Sequence, residues 1–263
     1  MTTQQPVAPK LKSAPTIGGP FNLTVAQLTV RGLLGRRRVI FLLALPGLLI
    51  ALAILIRALA GQDDEVTANV AGGLGVAVFV PLMGVIAGTG AIAPEIDDGS
   101  IVYLLAKPLS RHTMATTKAL VAMVTIIMFS GLPAGLAAFL MSGADNDLAL
   151  GLLVGACTAG VAYGAVFLLL GVITRSAVLI GLLYALVWEA VVGSFVPGAK
   201  TLSISQWAAS ITEAIIGKDT AESLNMESAV DLGVGVTMLV IVTIGATWYA
   251  GHKLRTIRLA GEE

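Results

Sequence analysis

Residues Pro94–Lys118, PEIDDGSIVYLLAKPLSRHTMATTK, form the longest polar break in the first half of a very apolar chain. It begins with an acidic cluster of Glu95, Asp97 and Asp98, turns at Gly99 and ends in basic residues. Apolar segments long enough to cross a membrane lie on both sides of it. A charged loop in this position is either a plain connector or a docking surface. Its mixture of acidic and apolar residues favours docking.

The composition places the chain in a membrane. Of its 263 residues, 56% are hydrophobic and 12% are charged, whereas soluble domains carry about a quarter charged residues. The net charge is zero, so there is no electrostatic case for a nucleic-acid partner. Residues 1–20 hold four prolines and no apolar core of a signal peptide, which predicts a disordered cytoplasmic tail.

Six apolar segments reach the roughly 20 residues that cross a bilayer. The predicted fold is therefore all-α, a polytopic bundle of six transmembrane helices in a single membrane domain over residues 21–260. The predicted spans are 39–60, 70–93, 113–141, 148–174, 177–196 and 229–250.

Glycines recur four residues apart within these spans, and small residues at that spacing let membrane helices pack closely. We interpret them as contacts within the bundle rather than as a dimer interface. The pairs are Gly84/Gly88, Gly131/Gly135, Gly151/Gly155 and Gly160/Gly164.

A short helix is predicted before the first span, lying at the cytoplasmic membrane interface. Asn22 is a typical N-cap residue, Gly35 ends the helix, and Arg36–Arg38 would anchor it at the membrane surface. The alternative is that this segment only extends the first span. The predicted apolar face consists of Leu23, Ala26, Val30, Leu33 and Leu34.

The lysines and arginines orient the bundle. With the N-terminus inside, all but three of the 16 Lys and Arg residues fall on the cytoplasmic side, the exceptions being Arg57, Lys200 and Lys218. This distribution satisfies the positive-inside rule. We therefore expect a multi-pass protein of the cell (inner) membrane with both termini in the cytoplasm.

The last outer segment, residues 197–228, contains a second amphipathic helix. Ser203 is its candidate cap and Gly217 its candidate end. Such a helix either lies on the outer interface or dips back into the membrane against the bundle. Its apolar stripe follows helical spacing: Ile204, Trp207, Ala208, Ile211 and Ile215.

The sequence contains no recognisable catalytic constellation, so the chain is not expected to be an enzyme. His112 and His252 both lie among Arg and Lys residues, whose charges oppose a metal site. The phosphate-binding pattern G-x-x-x-x-G-K-[ST] does not occur. If the chain performs driven work, the energy has to enter through another subunit.

Glu189 is an ionisable residue inside a predicted span, and a carboxylate at such depth is costly. Two interpretations remain open. It either lines a pathway, contacting substrate or taking a proton, or it is hydrogen-bonded to a neighbouring helix through Ser, Thr or Tyr hydroxyls. The adjacent Trp188 is a further pathway candidate, although packing is its simpler role.

The loop after the second span, residues 94–112, can now be divided into parts. Asp97–Asp98–Gly99 is a turn signal, and Pro108 stops a short helix before Ser110 caps the third span. The short helix presents an apolar face formed by Ile101, Leu104 and Leu105. That face either docks on a partner or lies on the membrane surface.

This loop resembles the cytoplasmic loop of type-2 ABC transporter permeases, in which an acidic residue, Gly-Ser/Thr, a Leu pair, Pro-x-Ser-Arg and a Lys recur between the second and third helices. The likeness extends to the whole layout of the chain. The stretch from Trp188 to Trp207 also resembles a bacterial subgroup of these permeases. The matching loop residues are Glu95, Gly99, Ser100, Leu104, Leu105, Pro108, Ser110, Arg111 and Lys118.

The resemblance implies an exporter subunit that pairs with a second permease copy and with separate P-loop ATPase subunits. ATP and Mg²⁺ would bind the ATPase, and no cofactor is expected in this chain. The rival interpretation is a membrane scaffold or a membrane enzyme without ATP coupling. The expected ATPase-docking residues are Glu95, Asp97, Asp98, Gly99, Ile101, Tyr103, Leu104, Leu105, Pro108 and Arg111.

Overall fold

The computed structural model describes residues 19, 21–101, 110–143, 147–192 and 197–256, and all of its regular elements in these ranges are helices. The predicted all-α class is therefore confirmed. The helices are α1 Leu23–Leu33, α2 Arg36–Ala60, α3 Asp64–Asp97, α4 Arg111–Ser142, α5 Leu148–Ile173, α6 over residues 177–192, α7 Pro197–Lys200, α8 Ile204–Ile216, α9 Lys218–Ser223 and α10 Leu232–Thr256.

Five of these helices, α2, α3, α4, α5 and α10, are long and apolar enough to cross a membrane, and α6 is a shorter apolar helix. Each of the six helices overlaps one of the predicted spans, and five of them have the length of a membrane crossing. The predicted span at 177–196 is described over 177–192, so its last residues lie outside the described part of the chain.

Two of the three prolines inside the spans, Pro81 and Pro133, lie next to wider, π-helical turns, whereas Pro46 lies within the regular α-helix α2. Helix α3 is π-helical over Ala68–Phe79 and Val85–Thr89, on both sides of Pro81, and α4 is π-helical over Ile127–Gly131, just before Pro133. Proline lacks the N–H that continues an α-helical ladder. The wider turns accommodate the change in hydrogen bonding without ending the helix.

Helix α5 lies at the centre of the bundle. Its Tyr163 and Phe167 are completely buried, and Gly84 and Gly88 of α3 lie directly against them. A Cβ atom on Gly88 would lie 2.6 Å from the Phe167 Cβ. The glycine spacing in α3 therefore serves close packing inside the chain, as predicted.

The two ends of the bundle differ in charge. We call the end with Arg31, Arg111, Arg175 and Arg255 the basic end, and the opposite one, with Asp63, Asp64, Asp147 and Asp219, the acidic end. Helix α10 runs from the acidic end, where Gly235 contacts Ser210 of α8, to the basic end, where Gly251 contacts His112.

Helix α1 is a separate helix, not an extension of α2. The Asn22 side chain caps it by accepting a hydrogen bond from the Val25 amide at 3.1 Å, as predicted. The predicted apolar face is divided: Ala26 and Leu33 are buried in the bundle, whereas Leu23, Val30 and Leu34 are exposed. The buried face packs against α4 and consists of Val25, Ala26, Thr29 and Leu33.

Helix α8 packs inside the bundle between α5 and α10. Its Trp207 and Ala208 are buried, and the Thr212 hydroxyl donates a hydrogen bond to the Gly151 carbonyl of α5 at 3.0 Å. Helix α8 therefore packs against the bundle, as the second of the two predicted locations requires. Gly217, at φ 85°, ends α8 as predicted.

Gly88→Ala should destabilise the protein by about 1–3 kcal/mol, because the new methyl group overpacks the contact between α3 and α5. The measurement is thermal unfolding of the purified full chain in detergent. Gly73→Ala, in the same helix but with open space around its Cβ position, is the control and should not lower the melting temperature. Equal melting temperatures for the two variants would contradict the close packing of α3 on α5.

Candidate functional site

The first group of polar side chains surrounds Lys118 at the basic end. The Lys118 side chain is completely buried, and its ammonium donates hydrogen bonds to the Ala91 carbonyl at 2.7 Å and to Glu95 Oε1 at 2.7 Å. A third bond, of 3.4 Å, reaches Thr29 Oγ1. Lys118 thereby joins α1, α3 and α4 at one point.

A local break in α3 supplies one of these acceptors. The Glu95 amide bonds the Ile92 carbonyl at 3.1 Å, a tighter turn than that of an α-helix. In a regular α-helix the Ala91 carbonyl would accept a hydrogen bond from the Glu95 amide. Here it accepts one from Lys118 instead. Pro94, which follows this break, has no N–H of its own to offer.

Glu95 is accordingly part of the fold. Its side chain is 23% exposed, Oε1 is bound to Lys118, and Oε2 is buried without a hydrogen-bond partner in the described ranges. The predicted docking role of Glu95 stays a prediction. The contact that the structure gives this carboxylate lies inside the chain.

The predicted turn after Glu95 is confirmed. Gly99 has φ 73°, in the left-handed region that favours glycine, and Asp97, Asp98 and Gly99 are all exposed. The Ser100 amide donates to Asp98 Oδ1 at 2.9 Å, and hydrogen bonds from the Ser100 hydroxyl and amide lower the pKa of Asp98. This turn therefore presents carboxylates to the solvent.

Ile101 requires a correction. It was expected on an exposed apolar face, but it is 3% exposed and belongs to a core cluster with Val25, Ala26 and Ile92. The side chain is buried because α1 covers the start of the loop. It is therefore not available to a docking partner.

The remaining docking residues fall in two groups. Tyr103, Leu104, Leu105 and Pro108 lie outside the described residues. Arg111 begins α4, whose first turn is capped by Ser110 through a 3.0 Å hydrogen bond from the Thr113 amide, as predicted. One guanidinium nitrogen of Arg111 is buried without a hydrogen-bond partner in the described part of the chain.

The second polar group surrounds Glu189 of α6, which is 2% exposed. Oε1 accepts hydrogen bonds from the Tyr184 hydroxyl at 2.8 Å and the Ile204 amide at 3.1 Å. Oε2 accepts from the Ser205 hydroxyl at 2.8 Å, the Ser205 amide at 3.4 Å and the Ser203 hydroxyl.

This carboxylate caps α8 from another helix. Two of its donors, the Ile204 and Ser205 amides, are among the first N–H groups of α8, which have no acceptor within their own helix. A negative charge is favourable at this end of a helix. Ser203 occupies the N-cap position, as predicted, but its hydroxyl donates to Glu189 and makes no capping hydrogen bond of its own.

Beside this cluster lies a cavity of about 220 Å³ between α3 and α8. Ser205 lines the cavity and donates to Glu189, which is not one of the lining residues, and Trp188 is half-buried. The pathway role of Glu189 and Trp188 stays a prediction. Other lining residues are Asn69, Gly72, Gly73, Gln206 and Thr212.

A family model described as ABC-2 family transporter protein matches residues 44–248, well over half of the chain. The chain belongs to the ABC-2 transporter family. It is the membrane permease subunit of an ABC transporter, and the family associates with an ATP-binding subunit. Searches of curated proteins and of solved structures returned no match.

The match to the ABC-2 family extends from within α2 to within α10 and leaves out α1. Lys118, Ala91 and Glu95 of the first polar group and all of the second group lie within the matched residues, whereas Thr29 precedes them. Sequence reasoning found Lys118 only through the resemblance and did not foresee its contact with Thr29. The clue available in the sequence was a lysine seven residues inside a predicted helix, at a depth where a cation needs a partner.

Lys118→Met should destabilise the permease by about 3 kcal/mol, because it leaves the Glu95 carboxylate and the Ala91 carbonyl without their partner. Thermal unfolding in detergent measures this effect. The double variant Lys118→Met/Glu95→Leu should recover part of the loss, since an apolar pair replaces an orphaned charge. Lys218→Met, an exposed lysine at the acidic end, is the control. If Lys218→Met lowers the melting temperature as much as Lys118→Met does, the buried ion pair does not account for the loss of stability.

Glu189→Gln should loosen the start of α8, because an amide has a single acceptor oxygen and turns an NH₂ group toward hydroxyl and amide donors. We expect hydrogen exchange of the first-turn amides of α8 to become about tenfold faster or more. Hydrogen-exchange mass spectrometry measures it. Glu213→Gln is the control. Glu213 lies on α8 and accepts a 2.8 Å hydrogen bond from the Ser228 amide, so this variant should affect only the segment around Ser228. Unchanged exchange at Ile204 and Ser205 would argue against the capping role.

Proposed function

We propose that this permease is the membrane pathway of an ABC exporter and that residues 94–118 couple it to a separate P-loop ATPase. One observation carries the proposal. The ion pair between Lys118 and Glu95 fixes the start of this loop to α3 and α4, while Thr29 brings in α1. A force applied to the loop therefore acts on three helices together.

The exposed turn of Asp97, Asp98 and Gly99 is the proposed contact with the ATPase. It protrudes from the basic end, and its carboxylates are free of ion pairs with the described residues. ATP and Mg²⁺ bind the partner chain, and their turnover moves this turn. The movement reaches α4 through Glu95 and Lys118, and it reaches α1 through Thr29.

In the proposed orientation, the protein spans the cell (inner) membrane with its basic end and both termini in the cytoplasm. The excess of Lys and Arg at that end supports the assignment. The outward direction of transport rests on the resemblance to type-2 permeases, most of which export. Opening toward the acidic end would then involve α8, whose N-terminus is held by Glu189.

A second permease copy completes the proposed transporter. Within their most apolar windows, only 22% of α2 and 17% of α10 are buried inside the chain. Many of their apolar side chains are therefore left for lipid or for another membrane subunit. This exposure is compatible with either a homodimer or a heterodimer.

The coupling proposal is tested by neutralising the turn and the adjacent leucine pair. Asp97→Asn/Asp98→Asn keeps the oxygen that accepts from the Ser100 amide, so the turn should persist without its charges; Leu104→Ser/Leu105→Ser removes the apolar pair. We expect each double variant to retain less ATPase when the tagged permease is purified from native membranes. Partner mass spectrometry and ATP hydrolysis are the measurements.

Glu95 is left intact in these variants because it stabilises the fold. Asp219→Asn/Glu222→Gln removes two exposed carboxylates from α9 at the acidic end and serves as the control for lost charge. It should retain the ATPase at the wild-type level. If both loop variants co-purify with as much ATPase as the wild type, the proposed docking turn is refuted.

A further inference from the structure

A cluster of nearly parallel rings covers the basic ends of α4 and α10. The His112 ring stacks on Trp248 with centroids 6.4 Å apart, and Trp248 stacks on His252 at 5.7 Å. Tyr249 stacks on His252 at 6.4 Å. The cluster combines two imidazoles, an indole and a phenol on one face of the bundle.

A glycine makes this arrangement possible. Gly251 lies under the His112 ring, and a Cβ atom at this position would collide with His112 Nδ1. The contact holds the start of α4 against the last turns of α10. His112 and His252 are therefore held in the same layer, although 140 residues separate them in the sequence.

The same layer carries positive charge. Arg255 is exposed and Lys253 is half-buried. Among the described residues, no carboxylate lies within ion-pair distance of either cation. The cluster therefore offers hydrogen-bond donors and positive charge that the described part of the chain does not neutralise.

The depth of the cluster matches the boundary of a bilayer. Crossing the hydrocarbon takes about 20 residues, so a span that begins at Leu232 reaches the boundary near Gly251. Trp248 and Tyr249, which are 59% and 43% exposed, then lie at the boundary. Arg255 lies about one turn beyond it, at the level of the headgroups.

We propose that this surface, formed by His112, Trp248, Tyr249, His252, Lys253 and Arg255, binds the phosphate headgroup of an anionic phospholipid. Arg255 and Lys253 attract the phosphate, and the imidazole N–H groups donate hydrogen bonds to its oxygens. Trp248 and Tyr249 contact the glycerol region and the first methylenes of the chains, since indole and phenol rings favour this depth. The apolar flank of the surface requires a lipid rather than a soluble phosphate.

The test uses the full-length permease in nanodiscs of phosphatidylcholine that contain a small fraction of dibrominated phosphatidylglycerol or dibrominated phosphatidylcholine. Bromine near the headgroup quenches a neighbouring tryptophan, and the difference between wild type and Trp248→Phe isolates the Trp248 signal. We expect dibrominated phosphatidylglycerol to quench Trp248 at a several-fold lower mole fraction than dibrominated phosphatidylcholine does. Both leaflets have the same composition, so the result does not depend on the orientation of the protein.

Arg255→Gln should weaken the preference for the anionic lipid about fivefold. Arg175→Gln removes the same charge from an exposed position at the same end and should leave the preference unchanged. His112→Phe/His252→Phe retains the stacked rings but removes the N–H donors, and it should also weaken the preference. Size-exclusion profiles and melting temperatures identify any variant that fails to fold.

Three results would overturn the proposal. In the first, both brominated lipids quench Trp248 equally in the wild type. In the second, Arg175→Gln and Arg255→Gln reduce the preference to the same extent, which would indicate general attraction to a charged surface. In the third, excess inorganic phosphate abolishes the preference, which would indicate a site for the free anion instead of the lipid.

Discussion

The structure depends on a buried cation. An ammonium group removed from water costs several kcal/mol unless oxygen atoms replace its hydration. For Lys118 these oxygens come from Thr29 of α1 and from Ala91 and Glu95 of α3. The three helices must therefore meet at one point, and the start of the loop between α3 and α4 is fixed by the same requirement.

A similar requirement operates deeper in the bundle with the opposite sign. The Glu189 carboxylate is surrounded by hydroxyl donors and by the first amides of α8. Each charged side chain supplies a hydrogen-bond partner to backbone groups at a break or at an end of a helix. Lys118 takes a carbonyl left by the break before Pro94, and Glu189 takes the amides left at the start of α8. In a medium without water, backbone groups at such breaks have to find partners within the protein.

Local signals in the sequence predicted local structure well. The caps at Asn22 and Ser110, the turn at Gly99 and the end of α8 at Gly217 all agree with the structure. Each depends on a side chain and a backbone group at most a few residues apart. The predicted exposed position of Ile101 was wrong, because its burial depends on how α1 packs against the neighbouring helices.

Composition and segment length predict the class of protein and the approximate spans, because a bilayer requires long apolar segments. The positions of Lys and Arg predict the charge difference between the two ends. The loop motif also pointed to the family that the match over residues 44–248 shows. Only the tertiary structure decided the partners of the two buried charges. Glu189 and Ser205 are 16 positions apart, and Lys118 and Thr29 are 89 positions apart. Contacts at such separations follow from helix packing, which no local pattern specifies.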